Sequence, residues 1–228
     1  MLQKLSVADF PLASDDIKHI CQNGQTLQVL NIGGCEVEFQ NRTKLLQDLF
    51  TNCPHLTELN ISADYDYADH LLDLHIQALV DKLTPTILKV NLAFQRSLRD
   101  EHVKTLVKRC NKSTQLDLSY TQITNDSVQS IIIHLNTSLE KLRVSQTEVD
   151  SVAIFELKSV TTLKTLIYDY LEDIENLKQQ LPHIRIGSEE DLQIASPFKI
   201  VNFPYVKYLI WEIRLKPQNL FAKVWVNN

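Results

Sequence analysis

LTELNI, spanning Leu56 to Ile61, is a hexad whose first, fourth and sixth residues are apolar, and the same spacing recurs through most of the chain. Clear copies are LQVLNI from Leu27, ILKVNL from Ile87, LEKLRV from Leu139 and LKTLIY from Leu163; weaker ones are LQKLSV from Leu2, STQLDL from Ser113 and LPHIRI from Leu181. Successive hexads start 25, 29, 31, 26, 26, 24 and 18 residues apart, the range of leucine-rich repeats except for the last step. A short strand can send the three apolar residues of each hexad into one core while those between face outward.

Between hexads the apolar period lengthens to that of a helix. Val103, Leu106, Val107 and Cys110 fall at i, i+3, i+4 and i+7, as do Val128, Ile131, Ile132 and Leu135, and Leu72, Ile76, Leu79, Val80 and Leu83 form a longer stripe. Ser14 before Asp15 and Asp16, and Asn125 before Asp126, read as capping side chains at helix N-termini, and Lys108, Arg109 and Lys112 suit a C-terminus. The ninth repeat position is Cys35, Asp64, Gln95, Thr121 and Thr147, small polar or thiol groups able to satisfy backbone where each coil turns. One strand and one helix cannot bury their apolar faces alone. The expectation is an α/β leucine-rich-repeat solenoid, a curved horseshoe with an array over residues 1–186 and a non-repeat tail over 187–228.

With 228 residues and 44 % hydrophobic content, the chain can build one continuous core. A net charge of −5 argues against a nucleic-acid partner, which requires a basic stripe. Outward strand positions are mixed, pairing Lys4 with Ser6, Val29 with Asn31, Glu58 with Asn60, Lys89 with Asn91, Gln115 with Asp117 and Lys141 with Arg143, a surface suited to protein. MLQKLSV leads straight into a repeat with no basic-then-apolar leader, and no run approaches the roughly 20 apolar residues that span a bilayer. The reading expects no membrane partner and an intracellular protein. Cys21, Cys53 and Cys110 sit just before strands and Cys35 just after one, which favours core thiols over metal ligation or disulfides.

Reactive constellations are not evident. The glycines, Gly24, Gly33, Gly34 and Gly187, draw no phosphate-cradling loop, and neither G-x-S-x-G nor H-E-x-x-H occurs. His70 and His75, five apart on a helix, would face different ways. Glu172, Asp173 and Glu175, and then Glu189, Glu190 and Asp191, read as a solvated acidic edge. No enzyme activity, cofactor or metal is expected. From Gly187 the hexad gives way to a segment rich in aromatic residues that holds both tryptophans, Trp211 and Trp225. It could cap the array or run back along the strands; the second use, with aromatic anchors lining a binding face, is the favoured one.

The order of TLKTL at Thr162 to Leu166, LKQQLPHIRI at Leu177 to Ile186, IASP at Ile194 to Pro197 and IWEIRL at Ile210 to Leu215 closely resembles the C-terminal end of the F-box and leucine-rich-repeat substrate receptors of SCF (cullin-RING) ubiquitin ligases, of the S-phase kinase-associated protein 2 type. CPHLTELNIS at Cys53 to Ser62 and LVKRCNKSTQLDLS at Leu106 to Ser119 look like that family's cysteine-type repeats, and the resemblance covers about residues 1 to 216. It implies a tail folded across the concave side and a role in presenting phosphorylated cell-cycle regulators, such as cyclin-dependent kinase inhibitors, for ubiquitination. It also implies a small phosphate-binding adaptor of the Cks type on the C-terminal repeats, and residence in nucleus and cytoplasm.

Two departures qualify the resemblance. The F-box that would bind the ligase adaptor is not in this sequence, so the chain is either incomplete or a variant that binds substrate without delivering it. At the docking positions after each strand the family's Trp becomes Ala63, its Asp becomes Tyr120, and its Arg and Tyr become Gln146 and Glu148; Arg96 keeps its type. Together with Trp211 these are the candidate partner-binding residues. A protein-interaction scaffold with no link to ubiquitin is the alternative reading.

Overall fold

The computed structural model describes residues 2–8, 12–35, 42–63, 71–169 and 171–188. Strands and helices alternate: β1 (Lys4–Ser6), α1 (Ser14–Gln22), β2 (Val29–Asn31), α2 (Arg42–Asn52), β3 (Glu58–Asn60), α3 (Asp73–Val80), β4 (Lys89–Asn91), α4 (Asp100–Arg109), β5 (Gln115–Asp117), α5 (Asn125–Leu135), β6 (Lys141–Arg143), α6 (Ser151–Glu156), β7 (Thr165–Ile167), α7 (Leu171–Gln180) and β8 (Arg185–Gly187). The strands form one parallel sheet in chain order. Strands about 4.8 Å apart cannot match helices about 10 Å across unless the stack fans open, which puts the sheet on the inner side of a curve. The expected leucine-rich-repeat solenoid is the fold observed.

The fourth hexad position is its spine. Leu5, Leu30, Leu59, Val90, Leu116, Leu142, Leu166 and Ile186 pair in register across the sheet and are at most 7 % exposed. Helix stripes close the other side of this core: Val103, Leu106, Val107 and Cys110 are buried, as are Val128, Ile131 and Leu135. Leu72 departs from its stripe, because α3 starts one residue later and leaves it exposed. The same start puts His70 outside α3, and it lies among the residues not described. In the last repeat, Leu166 pairs with Ile186 rather than with Ile184, so the hexad was read two residues early and the final step is 20 residues, within the repeat range. Strand β8 ends at Gly187, one residue past the expected end of the array. Of the tail, only Gly187 and Ser188 are described; Trp211 and Trp225 lie outside the described residues.

Capping also differs from the expectation. Ser14 is the first residue of α1 rather than its cap, and the Asp16 carboxylate accepts from the Ala13 N–H at 2.9 Å. In α5 the cap is Thr124, whose hydroxyl oxygen accepts from the Asp126 N–H at 3.3 Å. Asn125 instead links repeats: its amide donates to Asp150 Oδ2, and its carbonyl oxygen accepts from the Asp150 N–H, both at 3.0 Å. Hydrogen bonds from the Ala153 N–H and the Asn125 amide hold the Asp150 carboxyl below the usual range. One repeat earlier, the Asp100 carboxylate accepts from the Thr124 N–H and hydroxyl, each at 2.9 Å, and from the Ser127 N–H at 3.1 Å. Helix N-termini are thus tied to one another, so the stack is held by polar links as well as by its core.

Residues at the fifth hexad position, expected to face outward, are buried: Asn31, Asn60, Asn91, Asp117 and Arg143 are 4–5 % exposed. Their side chains hold the strand ends. The Asn60 amide donates to Asn31 Oδ1 at 2.8 Å, and each asparagine accepts a backbone N–H two residues on, from Gly33, Ser62 and Ala93. Asp117 accepts likewise from the Ser119 N–H and faces Arg143, Nε to Oδ2, at 2.8 Å. Burial pushes the Asp117 carboxyl above the usual range against the pull of Arg143. Ninth-position groups do what the sequence suggested: Cys35, Gln95, Thr121 and Thr147 each donate to a backbone carbonyl, of Val7, Ile61, Leu118 and Val144. Asp64 lies outside the described residues.

All four cysteines are free thiols, Cys53 and Cys110 buried and Cys21 and Cys35 half-buried. Burial pushes the Cys53 thiol up to about 12 and those of Cys21 and Cys110 up to about 11. Gly24 permits this packing, since a Cβ there would stand 2.4 Å from Cys53 Sγ. No described helix is long and apolar enough to cross a membrane.

Two mutational outcomes follow. Asp100→Ala, which removes the bridge between α4 and α5, should cost about 2–3 kcal/mol in urea unfolding, whereas Asp126→Ala should cost under about 1 kcal/mol; equal losses would mean that the bridge is worth no more than a first-turn charge. Asp117→Leu should cost about 3–5 kcal/mol by removing the carboxylate that faces the buried Arg143 guanidinium, and adding Arg143→Leu should recover part of the loss. Additive losses in the double variant would contradict the coupling.

Candidate functional site

The parallel ladder continues beyond the strands. Gly34 N–H donates to Ser62 O at 2.9 Å, Ala63 N–H to Ala93 O at 3.0 Å, Phe94 N–H to Ser119 O at 2.9 Å and Tyr120 N–H to Ser145 O at 2.8 Å. These donors all occupy the eighth repeat position, so the residues that leave successive strands stand in a row. At Gly34, Phe94, Tyr120 and Gln146 the chain turns with φ of 68°, 63°, 58° and 54°. Glycine adopts that left-handed geometry freely, but a bulky side chain there costs about 1–3 kcal/mol. Two adjacent aromatic residues hold it, and their rings stack with centroids 4.2 Å apart and planes 10° apart. Such a pair returns about 0.5–1.5 kcal/mol beyond area burial. Ninth-position groups anchor the turns from beneath, Thr121 below Tyr120 and Thr147 below Gln146.

This ridge gathers most of the residues singled out by sequence. Ala63, Tyr120 and Gln146 share its eighth-position row; Ala63 is half-buried, Tyr120 is 36 % exposed and Gln146 is exposed. Arg96 and Glu148, each two residues further along, are exposed. Phe94 was missed. The hexad pattern stops two residues short of it, although an aromatic residue at a position filled in another repeat by Gly34 was a usable signal. Trp211 lies outside the described residues, and nothing places it on the ridge.

Beside the ridge, the inner face is polar and largely self-satisfied. Lys89 pairs with Glu58 across β4 and β3, and Lys164 with Glu140 just before β7 and β6, each at 2.8 Å. Lys141 is held below the usual lysine range by burial and by the Arg143 charge.

Among the described residues, Asp73, Glu101 and His102 bring three ligand-type atoms within 4.8 Å of one another. Hydrogen bonding explains His102 otherwise. Its Nδ1 accepts from the Arg99 N–H at 3.2 Å, which leaves the proton on Nε2, 3.5 Å from Asp73 Oδ1, where a metal would need a lone pair. His75 makes the same bond to the Leu72 N–H at 3.1 Å. Both histidines sit at the third residue of a helix and tie its first turn.

The sequence profile of the SKP2 LRR domain family matches residues 1–218. Among solved structures, a chain of the yeast Rad7–Elc1 complex superimposes with a TM-score of 0.57 at 14 % identity, covering 80 % of this chain and 46 % of that one. The leucine-rich-repeat protein LegL7 of Legionella pneumophila gives 0.45 at 16 % identity over 76 % of this chain and 59 % of its own. Actin-binding site 2 of leiomodin-1 gives 0.43 at 18 % identity, over 78 % and 98 %. At such identities the likeness concerns the fold alone. Leucine-rich-repeat domains of the matched kind bind protein partners and are generally non-enzymatic scaffolds. With a match that spans nearly its whole length, the chain belongs to the SKP2 LRR domain family.

Proposed function

We propose that this chain is the substrate-recognition part of an SCF-type ubiquitin ligase, holding a protein on its strand-exit ridge so that ubiquitin is transferred to a target already in place. Membership in the SKP2 LRR domain family supports the ligase context. The observation that carries protein recognition is the ridge itself: stacked Phe94 and Tyr120 in left-handed backbone, with Arg96, Gln146 and Glu148 exposed around them. Backbone strain of this kind persists where surrounding structure enforces it, and it clusters at ligand-contacting sites. The chain does no bond chemistry in this role; it supplies proximity, which makes transfer effectively intramolecular.

Phosphorylated cell-cycle regulators are the proposed targets, a Cks-type adaptor the proposed co-receptor, and nucleus and cytoplasm the proposed compartments. Engagement of the ligase adaptor requires an F-box in the same protein. A second reading, a scaffold outside the ubiquitin system, draws on Ala63, Tyr120, Gln146 and Glu148, which differ from the family's docking residues.

Immunoprecipitation of the protein as expressed from its own locus should recover the ligase adaptor together with a substrate. Arg96→Glu and Tyr120→Ala should each weaken substrate capture about tenfold while adaptor recovery stays unchanged. Failure of an F-box-containing form to recover the adaptor would leave the scaffold reading in place, and unchanged substrate capture by both variants would remove the ridge from the site.

A further inference from the structure

The first residues of β3 to β8 stand in register across the sheet as Glu58, Lys89, Gln115, Lys141, Thr165 and Arg185, on the side opposite the buried fourth-position row. Glu58 and Lys89 neutralise each other at 2.8 Å. From β5 onward the row changes character. It presents an amide, an ammonium, a hydroxyl and a guanidinium with no carboxylate, and among the described residues none of these four side chains has a hydrogen-bond or ion-pair partner. Gln115, Lys141 and Thr165 are half-buried with polar ends that water still reaches, and Arg185 is exposed. The neighbouring carboxylates are already engaged: Asp117, two residues along β5, faces Arg143, and Glu140 holds Lys164. Burial and the Arg143 charge disfavour the charged form of Lys141, so an added carboxylate would restore what the fold itself withholds there. In a chain of net charge −5, the row is a local excess of positive charge.

Resting on the protein-binding reading above, we propose that the row from Gln115 to Arg185 is a docking strip for an acidic segment of a partner protein. Carboxylates of the segment meet Lys141 and Arg185, while the Gln115 amide and the Thr165 hydroxyl donate hydrogen bonds beside them. Lys141 and Arg185 start strands two intervals apart, about 9–10 Å. Carboxylates spread along a chain meet each cation where it stands, whereas a single phosphate would have to draw both together over Thr165. The backbone of the strip is already engaged in the ladder, with Lys141 N–H donating to Thr114 O and Thr165 N–H to Glu140 O, so binding adds side-chain contacts alone. The strip lies at the strand starts and the ridge at the strand exits, and the two meet different parts of a partner.

The test uses the full chain and fluorescein-labelled peptides in one Gly-Ser frame, with cores of four glutamates, four glutamines, four lysines or two phosphoserines, read by fluorescence anisotropy at low salt. The glutamate core should bind about tenfold more tightly than the glutamine core and about threefold more tightly than the phosphoserine core, whose charge is similar. Lys141→Gln and Arg185→Gln should each weaken the glutamate core about three- to fivefold with an unchanged circular dichroism spectrum. Lys82→Gln, which removes the same charge from the helix side, should leave it within about twofold. Combining Lys141→Glu with Arg185→Glu should transfer the preference to the lysine core, a reversal that misfolding cannot imitate. Equal losses from Lys82→Gln and Lys141→Gln would mean that net charge alone is sensed and would overturn the proposal, as would tighter binding of the phosphoserine core or no reversal in the double variant. Tyr120→Ala should leave all these affinities unchanged, and adaptor recovery in the immunoprecipitation does not depend on them, so loss of this inference is distinguishable from loss of the ligase reading.

Discussion

Strands three residues long cannot stand alone, and the whole molecule depends on how each is held by its neighbours. The in-register row from Leu5 to Ile186 buries one aliphatic side chain per repeat against the same row before and after it. A fully buried Leu contributes about 2 kcal/mol of transfer free energy, yet only while both neighbouring repeats remain folded. Stability in such a stack is the sum of repeat terms and nearest-neighbour interfaces. The polar ties act along the same axis: Asn60 to Asn31, Asp117 to Arg143, Asp100 to Thr124, Asn125 to Asp150. Core, ladder and helix ends therefore impose one register.

That register is what makes the ridge possible. Since the ladder runs on from strand to turn, residues 26 apart, such as Phe94 and Tyr120, become neighbours with parallel rings. The ninth-position threonines and Gln95 satisfy carbonyls under the turns, so bonds to the coil help to fix the left-handed residues above them. A surface set in this way loses little conformational freedom on binding, which is where affinity is otherwise lost.

The repeat and its division into strand and helix were legible in the sequence because both rest on the spacing of apolar residues, and so were the roles of Cys53, Cys110, Gln95, Thr121 and Thr147. Positions whose fate depends on a partner in another repeat were not. Asn31 and Asn60 look like solvent-facing strand residues until each is seen to bond the next, and Asn125 resembles a cap until Asp150, 25 residues away, claims its amide. Ser14 failed as a cap for a smaller reason, a boundary displaced by one residue. The last hexad was misplaced because Leu181, Ile184 and Ile186 carry the apolar spacing, whereas the register that the sheet adopts puts His183 and Ser188 at the first and sixth positions. Of the candidate site, Ala63, Tyr120, Gln146, Glu148 and Arg96 came from matching the resembling family's docking positions, which do not include Phe94; its place in the same eighth-position row as Tyr120 was the signal left unused.

The central claim is that the molecule meets its partner at the strand exits, through a row of turns fixed by the sheet. Hydrogen–deuterium exchange of the protein with and without a captured partner tests it most directly. The account predicts protection confined to the peptides around residues 93–96, 119–122 and 145–148, with the helices α3 to α6 unchanged. Protection on the outer helices with the exit turns unaffected would contradict it.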